Sequence, residues 1–356
     1  MIILKNVLVI FGGASSEYEV SLRSSASVLR NINREKYNVY TLGITKDGRW
    51  LFYNGDIDSI ENNTWMEKNA VSAIISPDKK EKALLVFNGD NIEKIHIDVI
   101  FPVMHGKNGE DGTIQGIFEM ADIAYVGCTP LAGAMCMDKA ITNTICDAAG
   151  IPQAKWVAFT KYEFDNNKVD LNKAIEFLKF PIFVKPANAG SSVGITKAHD
   201  EEELKKAIDI AFKEDRKIVL EETLVGREIE CAVMGNFDPV ASCVGEILPT
   251  AEFYDYEAKY INDSTGLAIP AQLPDGVEAK VQEAAKKAYL ALNCSGLSRV
   301  DFFLLDDGRI CLNELNTLPG FTSISMFPKL FAKVGVEYCE LIDRLLAYAE
   351  EMHNEK

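Results

Sequence analysis

The sequence predicts an α/β protein of more than one domain that begins on a parallel sheet. Three features lead there. At 356 residues the chain exceeds what one hydrophobic core usually covers. Its composition, 47% hydrophobic and 25% charged, is that of an ordinary globular protein. From residue 1 to about 127, short apolar runs at 7–11 and 99–103 alternate with helical patterns, as the strands and crossover helices of a parallel sheet do.

The elements follow in order. Met1-Ile2-Ile3-Leu4-Lys5-Asn6-Val7-Leu8-Val9-Ile10 lacks the basic start and small-residue cleavage site of a secretion signal and reads as a first strand. A Ser- and Glu-rich helix start comes next. Residues 45–90, with much Asn, Asp, Gly and Lys, read as an elaborated, partly exposed insert. Beyond residue 128, a helix at 138–149 is closed by Gly150 and Pro152. A strand at 182–185 leads into a Gly/Ser loop, and Asp200 caps a helix at 201–213 with acids in its first turn and lysines later. A strand at 218–221 ends this part. Strands near 228–234 and 243–248, a polar loop around 252–266, a helix at 277–292, a hairpin at 298–315 and a helix at 337–352 complete the chain.

A formal charge of −16 argues against nucleic-acid and anionic-membrane partners, whose phosphates such a field repels. Any anionic ligand must be met by a few locally placed cations. No apolar run approaches the roughly 18 residues that span a membrane, and a cytoplasmic protein is expected. The eight cysteines (Cys128, Cys136, Cys146, Cys231, Cys243, Cys294, Cys311, Cys339) contain no Cys-x-x-Cys pair and read as reduced, structural thiols.

The most informative segment is Ser298-Arg299-Val300-Asp301-Phe302-Phe303-Leu304-Leu305, then Asp306-Asp307-Gly308, then Arg309-Ile310-Cys311-Leu312-Asn313-Glu314-Leu315-Asn316. Two apolar runs separated by Asp-Gly predict a hairpin with a two-residue turn at Asp307-Gly308. Residue 306 would then face 309, placing Asp301 opposite Glu314 and Arg299 opposite Asn316. Side chains alternate by two, so all four share one face. Like charges directly opposite are destabilising, so something cationic belongs between the two acids. Oxygen ligands from Asp301, Glu314 and Asn316 suit Mg²⁺, which also takes water and phosphate oxygens. The plain alternative is a solvated polar sheet face. A turn one residue longer would ruin the pairing.

Other segments gain meaning only in company. Lys185-Pro186-Ala187-Asn188-Ala189-Gly190-Ser191-Ser192-Val193-Gly194 follows a strand, and its small residues could close around phosphate, with Lys185 as the charge. It is not a Walker loop, and a mere turn between strands is the bland reading. Lys139 at a helix start could touch phosphate or simply face water. In Glu221-Glu222-Thr223-Leu224-Val225-Gly226-Arg227-Glu228, the backbone could meet an adenine edge and Glu228 a ribose, or the acids could be solvated. Gly12-Gly13-Ala14-Ser15-Ser16-Glu17 follows the first strand, where α/β sheets bind ligands, but lacks the G-x-G-x-x-G of dinucleotide sites. His105-Gly106-Lys107-Asn108-Gly109-Glu110-Asp111-Gly112 is a second glycine-rich loop whose histidine could be structural.

Taken together, these segments closely resemble the D-alanine–D-alanine ligases of the ATP-grasp superfamily. The pieces that match, in family order, include Gly12-Gly13 through Glu17-Tyr18-Glu19-Val20-Ser21, the His105 and Lys185 loops, and Met137-Asp138-Lys139. Tyr254-Asp255-Tyr256-Glu257-Ala258-Lys259-Tyr260, Arg299-Val300-Asp301 and Glu314-Leu315-Asn316-Thr317-Leu318-Pro319-Gly320-Phe321-Thr322-Ser323 complete them. Nothing is carried over for 45–90. The resemblance implies a three-domain ATP-grasp fold: a Rossmann-like substrate domain at 1–127, a central domain at 128–221 and a catalytic domain at 222–356, usually in a homodimer. It puts Lys139, Lys185, Ser191 and Ser192 on phosphates and Glu221, Glu222, Leu224 and Glu228 around adenosine. Asp301, Glu314 and Asn316 match ligands of Mg²⁺, two ions with Mn²⁺ as a substitute. Glu17 matches the residue near the first D-alanine's ammonium, with His105 lining that subsite and Ser191 and Tyr260 as partners of Glu17. Arg299 and the Gly320 amide match the oxyanion site. Lys259 and Ser325 lie toward the γ-phosphate and the second substrate's carboxylate, beside Met326.

Such an enzyme would make the dipeptide that ends peptidoglycan precursors. A carboxylate does not react with an amine at neutral pH, so the γ-phosphoryl of ATP must first convert the first D-alanine to an acyl phosphate, which the second amine attacks. That intermediate hydrolyses readily, and the aromatic loop at 253–260 is the expected lid. Within the family, D-lactate or D-serine could be the second substrate. Tyr260 disfavours lactate, and Ala258 with Met326, apolar where D-serine users carry charge, favours D-alanine. A non-catalytic nucleotide-binding protein, or an ATP-grasp ligase for longer peptides or carboxylated cofactors, is the remaining alternative.

Overall fold

The computed structural model describes residues 4–248 and 266–355, and the chain forms three sheets. Strand β1 (Lys5–Gly12) is the first apolar run. Its residues from Val7 to Phe11 are wholly buried, as in a sheet covered on both faces. It pairs in parallel with β2 (Tyr37–Ile44) and β7 (Val99–Val103), and β7 pairs in parallel with β8 (Ala124–Tyr125). The helix Tyr18–Asn31 crosses from β1 to β2. On its first turn the Ser21 hydroxyl accepts the Gly12 N–H at 2.7 Å and donates to the Val103 carbonyl, which pins the helix start between β1 and β7.

Residues 45–90 are more integral than their polar composition suggests. β3 (Trp50–Phe52), β4 (Val71–Ile75) and β5 (Ala83–Asn88), followed by β6 (Asn91–His96), extend the sheet antiparallel, giving the order β6-β5-β4-β3-β2-β1-β7-β8. Tyr53, Ile60 and Trp65 are buried. Trp65 lies over Gly43, where a Cβ would come within 2.4 Å of the indole, and its Nε1 donates to the Tyr18 hydroxyl at 3.2 Å. The polar residues belong to turns between strands whose apolar side chains point inward.

The second sheet is antiparallel, in the order β11-β10-β12-β9, from β9 (Trp156–Thr160), β10 (Ile182–Pro186), β11 (Thr196–Ala198) and β12 (Lys217–Glu222). The helix Glu201–Glu214 covers it, burying Leu204, Ala207, Ile208 and Ala211 at helical spacing. The Asp200 carboxylate caps it by accepting from the Glu202 and Glu203 N–H groups at 2.9 Å. Asp138 caps the helix Lys139–Ala148 in the same way.

The third sheet runs β15-β14-β13-β16-β17, from β13 (Gly226–Gly235), β14 (Val240–Leu248), β15 (Gly266–Ala268), β16 (Gly296–Leu305) and β17 (Ile310–Asn316). Its hairpin corrects one expectation. The Leu305 N–H donates to the Arg309 carbonyl at 2.9 Å, so residue 305 rather than 306 faces 309, and the turn is the three residues Asp306, Asp307 and Gly308. Gly308 takes the left-handed position, φ +80°, that such a turn needs. Leu304, Phe303 and Phe302 then face Ile310, Cys311 and Leu312, one step out of the expected register. A bulge between Leu312 and Glu314 takes up the extra residue, and beyond it Asp301 faces Glu314 and Arg299 faces Asn316. The longer turn does not ruin the pairing because the bulge restores it.

One apolar cluster joins the first and third sheets, with Val7, Phe101 and Val126 packed together with Met234, Leu297, Phe327 and Leu345. The second sheet has a core of its own, built on Ile182, Val184, Leu204, Ile208 and Leu220. All eight cysteines are free thiols, and six are buried. Burial and the neighbouring Cys294 push Cys128 well above the usual thiol range, which keeps it protonated and inert. Among the described residues, no helix is long and apolar enough to cross a membrane.

Candidate functional site

A cavity of about 510 Å³ opens where the ends of the three sheets meet. From the first sheet come Glu17, Val20 and His105; from the second, Gly190 and Ser191; from the third, Glu230, Arg299, Glu314 and Asn316; and from the stretch after β17, Gly320, Ser325 and Met326. Residues up to 309 positions apart in sequence thus line one cleft, Glu17 and Met326 being the extremes.

Glu17 is buried, just before the helix Tyr18–Asn31, and its carboxylate accepts from the Ser191 hydroxyl. Two glycines make room for it. A Cβ on Gly106, whose φ is +68°, would lie 2.3 Å from Glu17 Oε2, and one on Gly190 would lie 3.2 Å away. Ser191 and Ser192 are both held in the left-handed region, at φ 51° and 59°, a conformation that non-glycine residues keep mostly at functional loops.

His105 lies at the start of the loop after β7 and is buried. Its Nδ1 lies 2.9 Å from the Leu318 carbonyl and 3.8 Å from Glu110 Oε1, and its Nε2 lies 3.2 Å from the Ser24 hydroxyl. Burial alone would lower its pKa, but the bond to Glu110, the charges of Glu110 and Glu17 and the Leu318 carbonyl together raise it above the ordinary histidine value.

On the hairpin, Arg299 forks onto Asp301, Nε to Oδ1 at 2.8 Å and a terminal nitrogen to Oδ2 at 2.7 Å, and its Nε lies 2.9 Å from Glu230 Oε2. Asp301 and Glu230 are both buried. The cation that the facing acids require is therefore supplied in part by this guanidinium. The Asn316 amide donates to Asp301 Oδ2 at 3.0 Å, which leaves its carbonyl oxygen for a cation. Two carboxylates and an amide oxygen form a hard donor set that fits Mg²⁺ once phosphate oxygens and water complete the shell. They are too few for a cage of protein ligands alone, and among the described residues no group of three His, Cys, Asp or Glu is placed to hold a metal.

The stretch after β17 turns on itself and packs toward Ser24, His105 and β14. The Thr322 N–H donates to the Ser325 hydroxyl at 3.0 Å, and a Cβ on Gly320 would come within 2.9 Å of that oxygen. Met326 starts the helix Met326–Lys333 and packs over Gly245, where a Cβ would lie 2.8 Å from its sulfur.

The residues expected around a nucleotide lie beside this cleft, on the second sheet and its link to the third. Lys185 Nζ is 2.5 Å from Glu221 Oε2, and the Asn143 amide donates to the other oxygen at 3.4 Å. Lys139 donates to the Ala189 carbonyl at 2.6 Å, fastening the helix start to the Gly/Ser loop. Glu222 points to the opposite face of β12, as alternation demands. Its carboxylate accepts the Lys155 N–H at 2.8 Å, and its own N–H donates to the Lys155 carbonyl at 2.9 Å, so its backbone carbonyl is the group left for a base. Leu224 is half-buried in the link between β12 and β13, and Glu228, also half-buried, lies on β13 opposite Phe303. Ala258, Lys259, Tyr260 and the expected lid at 253–260 lie outside the described residues.

Sequence reasoning missed Glu230, Glu110 and Ser24. Glu230 carried a signal, since an acid in the apolar run of β13, two residues from Glu228 and on the same face, needs a cation. Ser24 carried none, because its partners are 81 and 297 residues away.

Residues 6–128 match the family model described as D-ala D-ala ligase N-terminus, and residues 145–347 match the one described as D-ala D-ala ligase C-terminus. The chain is 50% identical to a D-alanine–D-alanine ligase of Acetivibrio thermocellus, over 99% of this chain and 97% of the relative. It is 48% identical to one from Thermoanaerobacter pseudethanolicus, over 99% and 98%. Among solved structures, the VanG D-Ala:D-Ser ligase of Enterococcus faecalis superposes with a TM-score of 0.89 at 42% identity, covering 98% of this chain and 100% of that one. The D-alanine–D-alanine ligase of Coxiella burnetii superposes with a TM-score of 0.87 at 30% identity, covering 99% and 95%. The match runs through the segments that build the cleft, and the chain belongs to the D-alanine–D-alanine ligase family.

Proposed function

We propose that this chain joins two D-alanine molecules into D-alanyl-D-alanine, with ATP as the source of the activated carboxyl, for the peptide ends of cell-wall precursors. One observation carries the reading: a buried carboxylate, Glu17, and a buried-carboxylate-bound guanidinium, Arg299, face the same 510 Å³ cavity beside the Gly320 turn. A zwitterionic amino acid needs an anion for its ammonium and a cation for the oxygen charge that develops on its carboxyl.

The family is ATP-dependent and uses Mg²⁺. Glu17, oriented by Ser191 and Tyr260, holds the ammonium of the first D-alanine, and His105 closes that subsite. The carboxylate of that D-alanine attacks the γ-phosphorus of ATP, ADP leaves, and an acyl phosphate is formed. The amine of the second D-alanine attacks that carbonyl carbon, the oxyanion faces Arg299 and the Gly320 N–H, and phosphate leaves as the amide forms. Asp301, Glu314 and Asn316 hold Mg²⁺, two ions with Mn²⁺ able to substitute, which spreads the charge of the transferring phosphoryl group. Lys139, Lys185, Ser191 and Ser192 hold phosphates, while Glu221, Glu222, Leu224 and Glu228 hold adenosine. Lys259 and Ser325 serve the γ-phosphate and the second substrate's carboxylate near Met326, and the 253–260 loop excludes water. The parts 1–127, 128–221 and 222–356 serve as substrate, central and catalytic domains of a cytoplasmic homodimer.

The 42% identity to a D-Ala:D-Ser ligase makes D-serine the second reading. One hydroxyl is discriminated weakly unless a pocket is built to bond it, and the buried thioether of Met326 is not such a group. The experiment is incubation with ATP, Mg²⁺ and equal D-alanine and D-serine, with chromatography of the products. Mainly D-alanyl-D-alanine is expected. Mainly D-alanyl-D-serine would overturn the choice of second substrate, and no D-alanine-dependent product would overturn the function.

A further inference from the structure

The turn that carries Gly320 is held from both sides by two side chains that flank the first sheet, Ser24 on the helix Tyr18–Asn31 and His105 in the loop after β7, more than two hundred residues earlier in the sequence. On one side the Leu318 carbonyl lies 2.9 Å from His105 Nδ1. On the other, the Phe321 N–H donates to the Ser24 hydroxyl at 3.2 Å. Ser24 and His105 are themselves joined, Oγ to Nε2, at 3.2 Å. The result is a closed circuit, Leu318 carbonyl to His105 to Ser24 to Phe321 amide, that brackets Pro319 and Gly320. All four of its members are buried.

The donors and acceptors balance within the circuit when His105 is neutral. With His105 neutral, Nδ1–H donates to Leu318, the Ser24 O–H donates to Nε2, and the Ser24 oxygen accepts from Phe321. With His105 protonated, Nε2–H donates to Ser24, whose oxygen has two lone pairs and accepts from both neighbours. The circuit survives either state, as a clamp must.

We infer that Ser24 is a positioning residue for the oxyanion site. Through His105 and Phe321 it fixes the direction of the Gly320 N–H, without touching substrate. Phe321 is anchored independently by ring contacts to Phe101, Phe327 and Tyr338, at 6.0, 5.4 and 5.8 Å between centroids. Losing the hydroxyl therefore loosens the backbone at 318–321 rather than releasing the loop. The cost falls on the step in which the oxyanion forms, not on nucleotide binding, whose proposed residues lie on the second sheet, its link to the third and β13. This inference rests on the ligase reading above and on Gly320 as an oxyanion donor.

The test is Ser24→Ala beside Ser24→Cys, which restores a weak donor and acceptor of similar shape. Dipeptide and phosphate are measured in the same reactions, with thermal midpoints taken for each variant. Expected for Ser24→Ala is a fall in dipeptide turnover of about tenfold or more, with the KM for ATP unchanged. Phosphate released per dipeptide should rise above that of the wild type, because an acyl phosphate that is attacked slowly hydrolyses instead. Ser24→Cys should recover part of both. Turnover within about twofold of wild type would overturn the clamp. So would a fall in turnover that comes with a lowered midpoint and a wild-type ratio of phosphate to dipeptide, the mark of a purely structural serine. A wild-type chain that makes no dipeptide would overturn the ligase reading, and the clamp with it, so the two failures are told apart.

Discussion

Arg299 holds two buried carboxylates, Asp301 through a two-pronged fork and Glu230 through Nε, and it lines the cavity wall, where the proposed role has it face the reacting carboxyl. Removing one oxyanion donor typically costs about a hundred- to a thousandfold in rate. Arg299→Ala should therefore lose at least about a hundredfold in turnover while ATP affinity, followed by a nucleotide titration, stays near wild type. Near-normal turnover would end the assignment. Arg299→Lys keeps the cation beside Glu230 but cannot make the fork, and an intermediate rate is expected. His105 offers a second residue-level test, in stability rather than rate. Its pKa is raised in the folded chain above the ordinary 6.5. A raised pKa means that its stabilising share is whole below 6.5 and is lost as pH rises through the folded value. The unfolding free energy of wild type minus that of His105→Gln, from denaturant melts, should thus shrink between mildly acidic and mildly alkaline pH. A difference that grew with pH would show that burial of the neutral ring prevails over Glu110 and Glu17.

At the scale of elements, the hairpin shows how far a sequence carries a site. Asp301, Glu314, Arg299 and Asn316 could be grouped beforehand because alternation by two is rigid and because an apolar strand rarely carries acids without cause. The length of the turn could not be read, since Asp-Gly suits a two-residue turn and also ends a three-residue one with glycine in the left-handed position. Nor could the bulge at Asn313, which compensates for it: nothing local distinguishes an asparagine that sits in a ladder from one that is squeezed out of it. How deeply parts of the 45–90 region are built in could not be read for a related reason. Asn, Asp and Gly mark its turns, but Tyr53, Ile60 and Trp65 bury themselves against Tyr18 and Phe11, contacts that no local pattern announces. The longer turn makes a prediction. A Cβ on Gly308 would meet nothing within 4 Å, so Gly308→Ala suffers only from its positive φ. The left-handed conformation costs about 1–2 kcal/mol, and a denaturant melt should show a loss of that size. Retained turnover is also expected, because the bulge lies between the turn and the ligand set and isolates one from the other. A stability equal to wild type would mean that the turn is not left-handed at 308.

Across the whole molecule, the division of cores decides what a nucleotide can do. The first and third sheets share one apolar cluster, so Glu17 and His105 on one side and Arg299 and the Gly320 turn on the other are carried by one packed core. The second sheet packs on its own cluster. It is tied to the rest by Ser191 on Glu17, by the Leu312 N–H on the Pro152 carbonyl at 2.8 Å, and by an apolar cluster in which Cys146 and Ile151 pack with Val300 and Leu315. A ligand whose adenosine lies on the second sheet and whose phosphates reach Asp301 and Glu314 would bridge the second sheet and the third. Binding to the folded chain alone at about a hundred times the dissociation constant adds about 2.7 kcal/mol, which a melting curve resolves. The thermal midpoint should rise with ATP and Mg²⁺ together and much less with ATP and EDTA, because without the metal four phosphate charges approach Asp301 and Glu314 unscreened. Asp301→Asn should flatten the Mg²⁺ dependence while leaving the gain from ATP alone in place. An Asp301→Asn chain that still gained its full stabilisation only with Mg²⁺ would place the metal elsewhere than between these strands.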